Sequence, residues 1–381
     1  MKTYSTLVIL LLLVLLGAGN YSYAQKSISG EYEMVGSYNP FGDLGSASVA
    51  LTIADGGNGK YKAIMTSDES IPTHTIYRPQ NLNAFDAENP LPIIVFGNGA
   101  CFNSSQQLVV FLTEVASHGY IVIAPGPVKN VVFGMDPFES TTSQALLDAI
   151  DWAIEQNQNK ESLFYKKMDE NKIAAMGMSC GGMQAIEISK DPRIATTLVL
   201  NSGVFSLGFP GLPEGVNIED VIGQNNEDSE NKAAEGSASD EEEDDNPIAS
   251  LKMGLPNAHI PELKSFHSPV LYVYGGKYDI ATVNAEDNYQ YIGDIPVFFA
   301  SYDFSELVDK LSMERPGEDF SGYGHYPATY KDPHAGEFGE VAVAWLDWQF
   351  KGDKTAAKLF QGSPCGLQQK QKWTIKKKNI D

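Results

Sequence analysis

The chain has 381 residues, 43% of them hydrophobic, so it can bury a sizeable core as one large α/β domain or two ordinary ones. Its formal net charge of −22 argues against nucleic acids and anionic membrane surfaces as partners, because both repel an acidic protein. Its three cysteines, Cys101, Cys180 and Cys365, form no disulfide framework and have no metal-ligand spacing, so no metal site is expected. A bridge between Cys101 and Cys365 is one open pairing, which spacing alone cannot establish.

The first two dozen residues have the pattern of a signal peptide. Lys2 supplies a positive charge, residues 7–16 are a continuous apolar run, and Ser22 and Ala24 are small residues where a signal peptidase cuts. We therefore predict that residues 1–24 are a signal peptide cleaved after Ala24, and that the mature protein is secreted or periplasmic. The apolar run is short for a membrane span, so no membrane association is expected of the mature form, although an uncleaved anchor stays open.

Residues 26–80 have the polar and apolar alternation of β-strands. Four segments show it, at residues 32–36, 48–53, 61–65 and 73–77, with turn signals at Asp55-Gly56 and Asn58-Gly59. This pattern predicts an antiparallel meander at one edge of a sheet. His74 lies in the fourth segment, and we expect it to be a half-exposed strand residue without a catalytic role.

From residue 92 onward, apolar runs alternate with helical periodicity. The runs that predict buried parallel strands are residues 92–96, 120–124, 172–176, 195–200, 269–274 and 297–302. The segments with helical periodicity are residues 104–118, 142–156, 183–190 and 337–350. This alternation predicts an α/β fold with a mostly parallel, doubly wound sheet, and residues 25–381 are predicted to form a single domain.

An acidic insertion interrupts the alternation between residues 205 and 264. Within it, residues 223–246 hold ten acidic residues and one lysine, a composition that predicts disorder. A calcium-binding loop is the alternative, but the required ligand spacing is missing. Because the insertion follows a strand, we expect it at the carboxyl edge of the sheet, where lids over ligand sites commonly lie.

The segment at residues 177–182, Gly-Met-Ser-Cys-Gly-Gly, joins a predicted strand to a predicted helix. Gly-x-Ser-x-Gly in that position has the form of a nucleophile elbow, in which the turn is so tight that side chains two residues either side of the serine would collide. The serine hydroxyl then lies at a helix N-terminus, where N–H groups face a developing oxyanion. Ser179 is therefore the candidate nucleophile, and a small-residue turn with an incidental serine is the alternative.

A serine nucleophile needs a base, and a carboxylate that orients the base. Behind an elbow serine the chain order is Ser, Asp or Glu, then His. Asp279 follows a predicted strand and Gly275-Gly276, and His325 lies in a glycine-rich loop beyond the last strand, so these two are the predicted partners. His334, before the closing helix, is the rival to His325.

Two backbone N–H groups should stabilise the oxyanion. The first is that of Cys180, directly after the serine, and the second should come from the loop after Phe96, where Cys101 is the best candidate. Ala100, beside Cys101, and Met178, before the serine, are candidate substrate-pocket residues.

With these motifs the chain resembles the α/β-hydrolase superfamily over nearly all of its mature length. More narrowly, it looks like the secreted serine esterases of the cutinase, polyester-hydrolase and dienelactone-hydrolase-like branch. The resemblance rests on residues 96–101, 116–120, 177–182, 275–281 and 324–325. In that branch the residue fifteen positions before the Ala-Ser-His-Gly run donates the second oxyanion N–H, and here that residue is Cys101.

The resemblance implies a serine carboxylic-ester hydrolase that acts through an acyl-enzyme without a cofactor, on a small-molecule or polymeric ester. The chain departs from the family in residues 303–323, which separate the last strand from His325, and in the acidic insertion. An acyltransferase, a serine peptidase and an inactive hydrolase-fold binding protein are the alternatives that stay open.

Overall fold

The computed structural model describes residues 56–128, 140–205, 256, 259–325, 330 and 332–381, together with the backbone of strands at 32–34 and 51–53. The predicted signal peptide and the acidic run at 223–246 lie outside the described residues. Within the described part of the chain, no helix combines the length and the apolar character that crossing a membrane requires.

Eleven strands occur in the described residues, and nine of them form one sheet. In chain order they are β1 Tyr32–Met34, β2 Leu51–Ile53, β3 Ala63–Thr66, β4 His74–Pro79, β5 Leu91–Gly97, β6 Ile121–Pro125, β7 Met168–Met178, β8 Ile194–Leu200, β9 Val270–Tyr274, β10 Val297–Tyr302 and β11 Trp373–Lys378. The sheet order is β11-β10-β9-β8-β7-β5-β6-β4-β3.

The six central strands of this sheet, from β10 to β6, are parallel to one another. Antiparallel strands flank them, with β4 and β3 at one edge and β11 at the other. The predicted meander is therefore only half correct, because β1 and β2 pair with each other in a separate two-stranded sheet.

The α-helices of the described residues connect and cover these strands. They are α1 Val109–Ser117, α2 Gln144–Gln158, α3 Cys180–Ile188, α4 Ile260–Lys264, α5 Thr282–Asn288, α6 Ser305–Glu314, α7 Gly336–Lys351, α8 Lys354–Ala357 and α9 Gly366–Gln369. The predicted helices correspond to α1, α2, α3 and α7, with ends displaced by one to five residues.

The core lies on both faces of the sheet, as the side chains of β5 show. Ile94 and Phe96 point into an apolar cluster with α1 and α7, whereas Ile93 and Val95 point into a second cluster with α2. Alternate residues of one strand thus pack against helices on opposite faces, which explains why the predicted strands are apolar throughout. The prediction of a doubly wound α/β-hydrolase fold is confirmed.

Six elements of the described residues lie where the sequence analysis placed none, namely β11 and the helices α4, α5, α6, α8 and α9. Helix α6 occupies part of the segment between β10 and His325, and the backbone N–H of Ser305 donates to the Asp303 carboxylate at 2.8 Å where the helix starts. Strand β11 extends the sheet beyond β10 and carries Lys376, Lys377 and Lys378. Lysines are common on edge strands because they discourage pairing with another chain.

Candidate active site

The serine elbow lies at the carboxyl end of β7, near the middle of the sheet. Ser179 stands between β7 and α3 with φ 54° and ψ −124°, a conformation that non-glycine residues rarely adopt. Its backbone N–H donates to the carbonyl O of Leu200 in β8 at 2.9 Å, and Ser202 Oγ donates to its carbonyl O at 2.6 Å. These bonds to the neighbouring strand hold the turn in its strained form.

The glycines around Ser179 are required by close backbone packing. A Cβ on Gly177 would overlap the Gly181 carbonyl, and a Cβ on Gly181 would overlap the Gly97 carbonyl at the end of β5. The first turn of α3 therefore lies directly against the end of β5, at a separation that only glycine permits. This packing brings the loop after β5 next to the serine.

Ser179, His325 and Asp279 form a continuous hydrogen-bond chain. Ser179 Oγ lies 2.9 Å from His325 Nε2, and His325 Nδ1 lies 2.7 Å from Asp279 Oδ1. The side chains of His325 and Asp279 are 5% and 0% exposed, whereas Ser179 is half-buried and reaches the surface. The structure thus brings together the three residues that the sequence nominated, although they are 46 to 146 positions apart in the chain.

The Asp279 carboxylate is buried but fully hydrogen-bonded. Besides His325, Oδ1 accepts from the N–H of Ala281 at 2.9 Å, and Oδ2 accepts from the N–H of Gly275 at 2.9 Å. The amide of Asn201 donates to Oδ2 at 2.8 Å. These charge-assisted bonds replace the water that the carboxylate loses on burial, and they fix its orientation toward the imidazole.

Asn201 is a site residue that the sequence analysis did not identify. Its Nδ2 group donates to Asp279 and, at 2.8 Å, to the carbonyl O of Gly324, the residue before His325. Its Oδ1 atom accepts from the Tyr330 hydroxyl at 2.7 Å. Asn201 therefore joins the aspartate loop to the histidine loop, and its position directly after β8, beside the serine strand, was the available signal.

The two candidate oxyanion donors differ in their resting hydrogen bonds. Among the described residues, none accepts from the N–H of Cys180, the first residue of α3. The N–H of Cys101 donates to the carbonyl O of Asn98 at 3.1 Å in a short 3-10 turn. Ala100 and Cys101 both have positive φ, 52° and 51°. A bound oxyanion would therefore share the Cys101 N–H with Asn98, as three-centre hydrogen bonds do.

A disulfide joins Cys101 to Cys180, with 5.2 Å between their Cα atoms, and Cys365 is a buried free thiol. The candidate bridge between Cys101 and Cys365 is therefore wrong. The reason is topological: Cys101 follows β5 and Cys180 follows β7, and these neighbouring parallel strands end at the same edge of the sheet.

The two candidate pocket residues are placed differently. Ala100 is half-buried beside Cys101, whereas Met178 is 3% exposed and belongs to the core cluster on the α1 and α7 face. A Cβ on Gly99 would lie 2.9 Å from Met178 Sδ, so the thioether packs under the oxyanion loop. The surface that Met178 offers to a substrate is small.

His334, the rival base, lies beside another carboxylate. His334 Nδ1 is 3.2 Å and His118 Nε2 is 2.9 Å from the Glu114 carboxylate, which also accepts from the N–H of Asn58 at 3.0 Å. Burial alone would raise the pKa of Glu114. The hydrogen bonds from His118 and Asn58 and the two imidazole charges outweigh it and hold this pKa below its usual value. This cluster ties α1 to the turn before α7.

His74 is buried, contrary to the expectation that it is half-exposed. Its side chain is packed between β4 and α2, and Nε2 lies 2.9 Å from the carbonyl O of Ala145. Burial lowers the pKa of His74, because the imidazolium form loses its hydration. Among the described residues, no group of three or more His, Cys, Asp or Glu side chains is arranged to hold a metal ion.

Comparison with known proteins relates one segment of the chain to a described family. Residues 66–201 match the model of the PETase family, described as PET hydrolase-like, and no curated protein matches the chain significantly. The matched segment runs from β3 through β8 and includes Cys101, Ser179 and Cys180, but it ends before Asp279 and His325. The match indicates an ester hydrolase, and the resemblance inferred from the sequence motifs is confirmed. The chain thus has an α/β-hydrolase fold, and its segment 66–201 is similar to the PET hydrolase-like family.

Proposed function

We propose that the protein is a serine carboxylic-ester hydrolase that works through an acyl-enzyme. The observation that carries this proposal is the hydrogen-bond chain from Ser179 Oγ through His325 to the buried Asp279 carboxylate. A serine at a strained elbow, a base at 2.9 Å and an orienting carboxylate at 2.7 Å are the parts that acyl transfer needs.

In the proposed acylation step, Ser179 Oγ attacks the ester carbonyl carbon while His325 Nε2 takes its proton. Asp279 keeps the Nδ1 proton in place, so that Nε2 is the free acceptor, and it stabilises the imidazolium that forms. The N–H groups of Cys180 and Cys101 donate to the oxyanion. The imidazolium then protonates the leaving alcohol, which departs and leaves the acyl group on Ser179.

In deacylation, a water molecule gives a proton to His325 Nε2 and attacks the acyl carbon. The bond from the acyl carbon to Ser179 Oγ then breaks, Oγ takes the proton back from His325, and the acid is released. The base, the nucleophile of acylation and the oxyanion donors in these steps are all groups of this chain. The PET hydrolase-like match makes a polymeric ester a substrate class to test beside small esters. The family description supports an ester as the substrate class, and the hydrogen-bond chain of the triad supports acyl transfer as the reaction.

The test is the Ser179→Ala variant, assayed for p-nitrophenyl acetate turnover and for labelling by a fluorophosphonate. Ser189→Ala is the control, because Ser189 is a fully buried serine at the other end of α3 and, among the described residues, its hydroxyl donates to the carbonyl O of Ile186. We expect Ser179→Ala to lose both signals and Ser189→Ala to keep them. Full turnover by Ser179→Ala would overturn the proposal.

We also propose that residues 1–24 are removed and that the mature protein, residues 25–381, is a single domain that is secreted or periplasmic. The basic, apolar and small-residue pattern of the N-terminus supports this. The intact mass of the protein recovered outside the cytoplasm tests it. A mass that retains residues 1–24 would contradict the proposal.

A further inference from the structure

We propose that the Cys101–Cys180 disulfide is a positioning element of the oxyanion hole, which fixes the two donor N–H groups relative to each other. This inference rests on the proposed function. The disulfide joins the two residues that carry the candidate donor N–H groups, and it holds their Cα atoms 5.2 Å apart. Cys180 follows the nucleophile, and Cys101 lies in the loop that faces it.

The Cys101 side of the hole needs such a restraint. Ala100 and Cys101 are consecutive residues with positive φ, which L-residues with a Cβ disfavour. The loop therefore tends to relax toward negative φ unless the surrounding structure holds it. A relaxed loop would turn the Cys101 N–H away from the position where the oxyanion forms.

Hydrogen bonds fix the residues around Cys101 in this loop but hold the N–H group of Cys101 itself only weakly. The Asn98 side-chain amide donates to the carbonyl O atoms of Phe102 and Pro125 at 2.8 and 2.7 Å. The carbonyl O of Cys101 accepts from the N–H of Thr141 at 2.7 Å. The Thr141 hydroxyl donates to the same carbonyl O at 3.1 Å. Among the described residues, the N–H of Cys101 donates to Asn98 alone, at 3.1 Å, so the disulfide is the restraint that links Cys101 directly to the serine elbow.

The opposite end of the disulfide is anchored in a rigid part of the fold. Cys180 opens α3, whose first turn packs backbone to backbone against β5 through Gly181 and Gly97. The two cysteines are 0% and 6% exposed and lie in an apolar cluster with Met183 and Val204. The disulfide is thus a short, buried linkage that holds Cys101 at a fixed distance from the serine elbow.

The expected signature is a loss of kcat with little change in KM. Oxyanion donors act on the transition state, and removing one donor outright lowers kcat roughly 10²- to 10³-fold. Because cutting the disulfide displaces a donor without deleting it, we expect a fall on the order of tenfold to 100-fold in kcat. If the disulfide were purely structural, breaking it would lower the unfolding temperature but would not lower kcat at constant KM in the folded protein.

The experiment compares three proteins with p-nitrophenyl acetate at a temperature where all are folded: wild type, the double variant Cys101→Ala/Cys180→Ala, and the control Cys365→Ser. Cys365 is buried and takes no part in the disulfide, so its variant should keep the wild-type kcat. The double variant should lose kcat by at least tenfold and keep KM within a few-fold.

A second measurement covers the case in which the double variant does not fold. Folded Cys365→Ser protein is treated with a phosphine, which takes the oxygen of one water molecule and becomes a phosphine oxide. The sulfur–sulfur bond accepts the two electrons and the two protons, so that two thiols form. The loss of kcat should follow the appearance of these two thiols by titration, and oxidation back to the disulfide should restore it.

An unchanged kcat in the folded double variant, or after two thiols have formed, would overturn the inference. The proposed function fails separately: its failure is turnover by Ser179→Ala. If Ser179→Ala is inactive while the cysteine variants keep full kcat, the esterase proposal stands and only the role of the disulfide is refuted.

Discussion

Asn201→Ala should damage both the stability of the fold and the catalytic geometry. In the wild type, the Asn201 side chain donates to Asp279 Oδ2 and to the Gly324 carbonyl O, and it accepts from the Tyr330 hydroxyl. All four residues are buried, so alanine removes one hydrogen bond from each of three buried polar partners, where water cannot replace it.

The expected loss of unfolding free energy follows from these hydrogen bonds. A bond to a carboxylate contributes about 2 kcal/mol and each neutral bond about 1 kcal/mol, so the three together contribute about 4 kcal/mol. Asn201 also has φ 45°, which asparagine tolerates better than alanine by about 1 kcal/mol. We therefore expect the free energy of unfolding to fall by about 5 kcal/mol, measured by urea titration with tryptophan fluorescence.

Activity should fall as well, because Asn201 couples the aspartate loop to the histidine loop. Asp279 keeps its bonds to Gly275 and Ala281, so we expect a moderate loss of kcat, about tenfold, as the histidine loses precise placement. Asn288→Ala is the matched control. Asn288 is also a fully buried asparagine with three hydrogen bonds, to the backbone of Val204 and the Tyr272 hydroxyl, and none reaches the triad.

Comparing Asn201→Ala with Asn288→Ala separates the effect on the placement of the catalytic loops from the effect on the free energy of unfolding. Asn288→Ala should lose about 3 kcal/mol of unfolding free energy and retain its kcat. Equal kcat values for folded Asn201→Ala and Asn288→Ala would refute the argument that Asn201 places the catalytic loops. An unfolding free energy of Asn201→Ala within 1 kcal/mol of wild type would refute the hydrogen-bond count.

Three further predictions concern the triad carboxylate, the Glu114 cluster and the glycine packing of the elbow. Asp279→Asn should lower the kcat for p-nitrophenyl acetate about 10⁴-fold with the fold intact, because an amide favours the wrong imidazole tautomer; a loss below tenfold would contradict the assigned role. Glu114→Gln should reduce the free energy of unfolding most above pH 4.5, the usual pKa of this group. A carboxylate whose pKa is lowered in the folded state stabilises the fold above its unfolded-state pKa, and this stabilisation is lost as pH falls through the folded-state pKa. Urea titrations should therefore show a larger difference between variant and wild type at pH 7 than at pH 4. Gly181→Ala should fail to fold or lose several kcal/mol, since its Cβ overlaps the Gly97 backbone, whereas Gly293→Ala, with open space around its Cα, should unfold at the wild-type temperature.

The secondary structure near the serine was predictable because it depends on local pattern. An apolar run, a Gly-x-Ser-x-Gly turn and a helical segment specify β7, the elbow and α3 without reference to the rest of the chain. The chain order of Ser179, Asp279 and His325 was also visible, because Ser179 and Asp279 follow recognisable strands and His325 lies in a glycine-rich loop beyond the last parallel strand. Strand β11 was missed because its lysines hide the apolar alternation that marks other strands.

The residue contacts of the site depended on the tertiary structure. Nothing in the spacing of the cysteines shows that Cys101 meets Cys180, because their proximity arises from the pairing of β5 with β7. Asn201 likewise became a site residue only when β8 and the loops after β9 and β10 met at one edge of the sheet. Local sequence thus determined the strands, the elbow and the candidate triad, whereas strand order, which long-range hydrogen bonds set, decided the disulfide and the bonds that hold the triad in place.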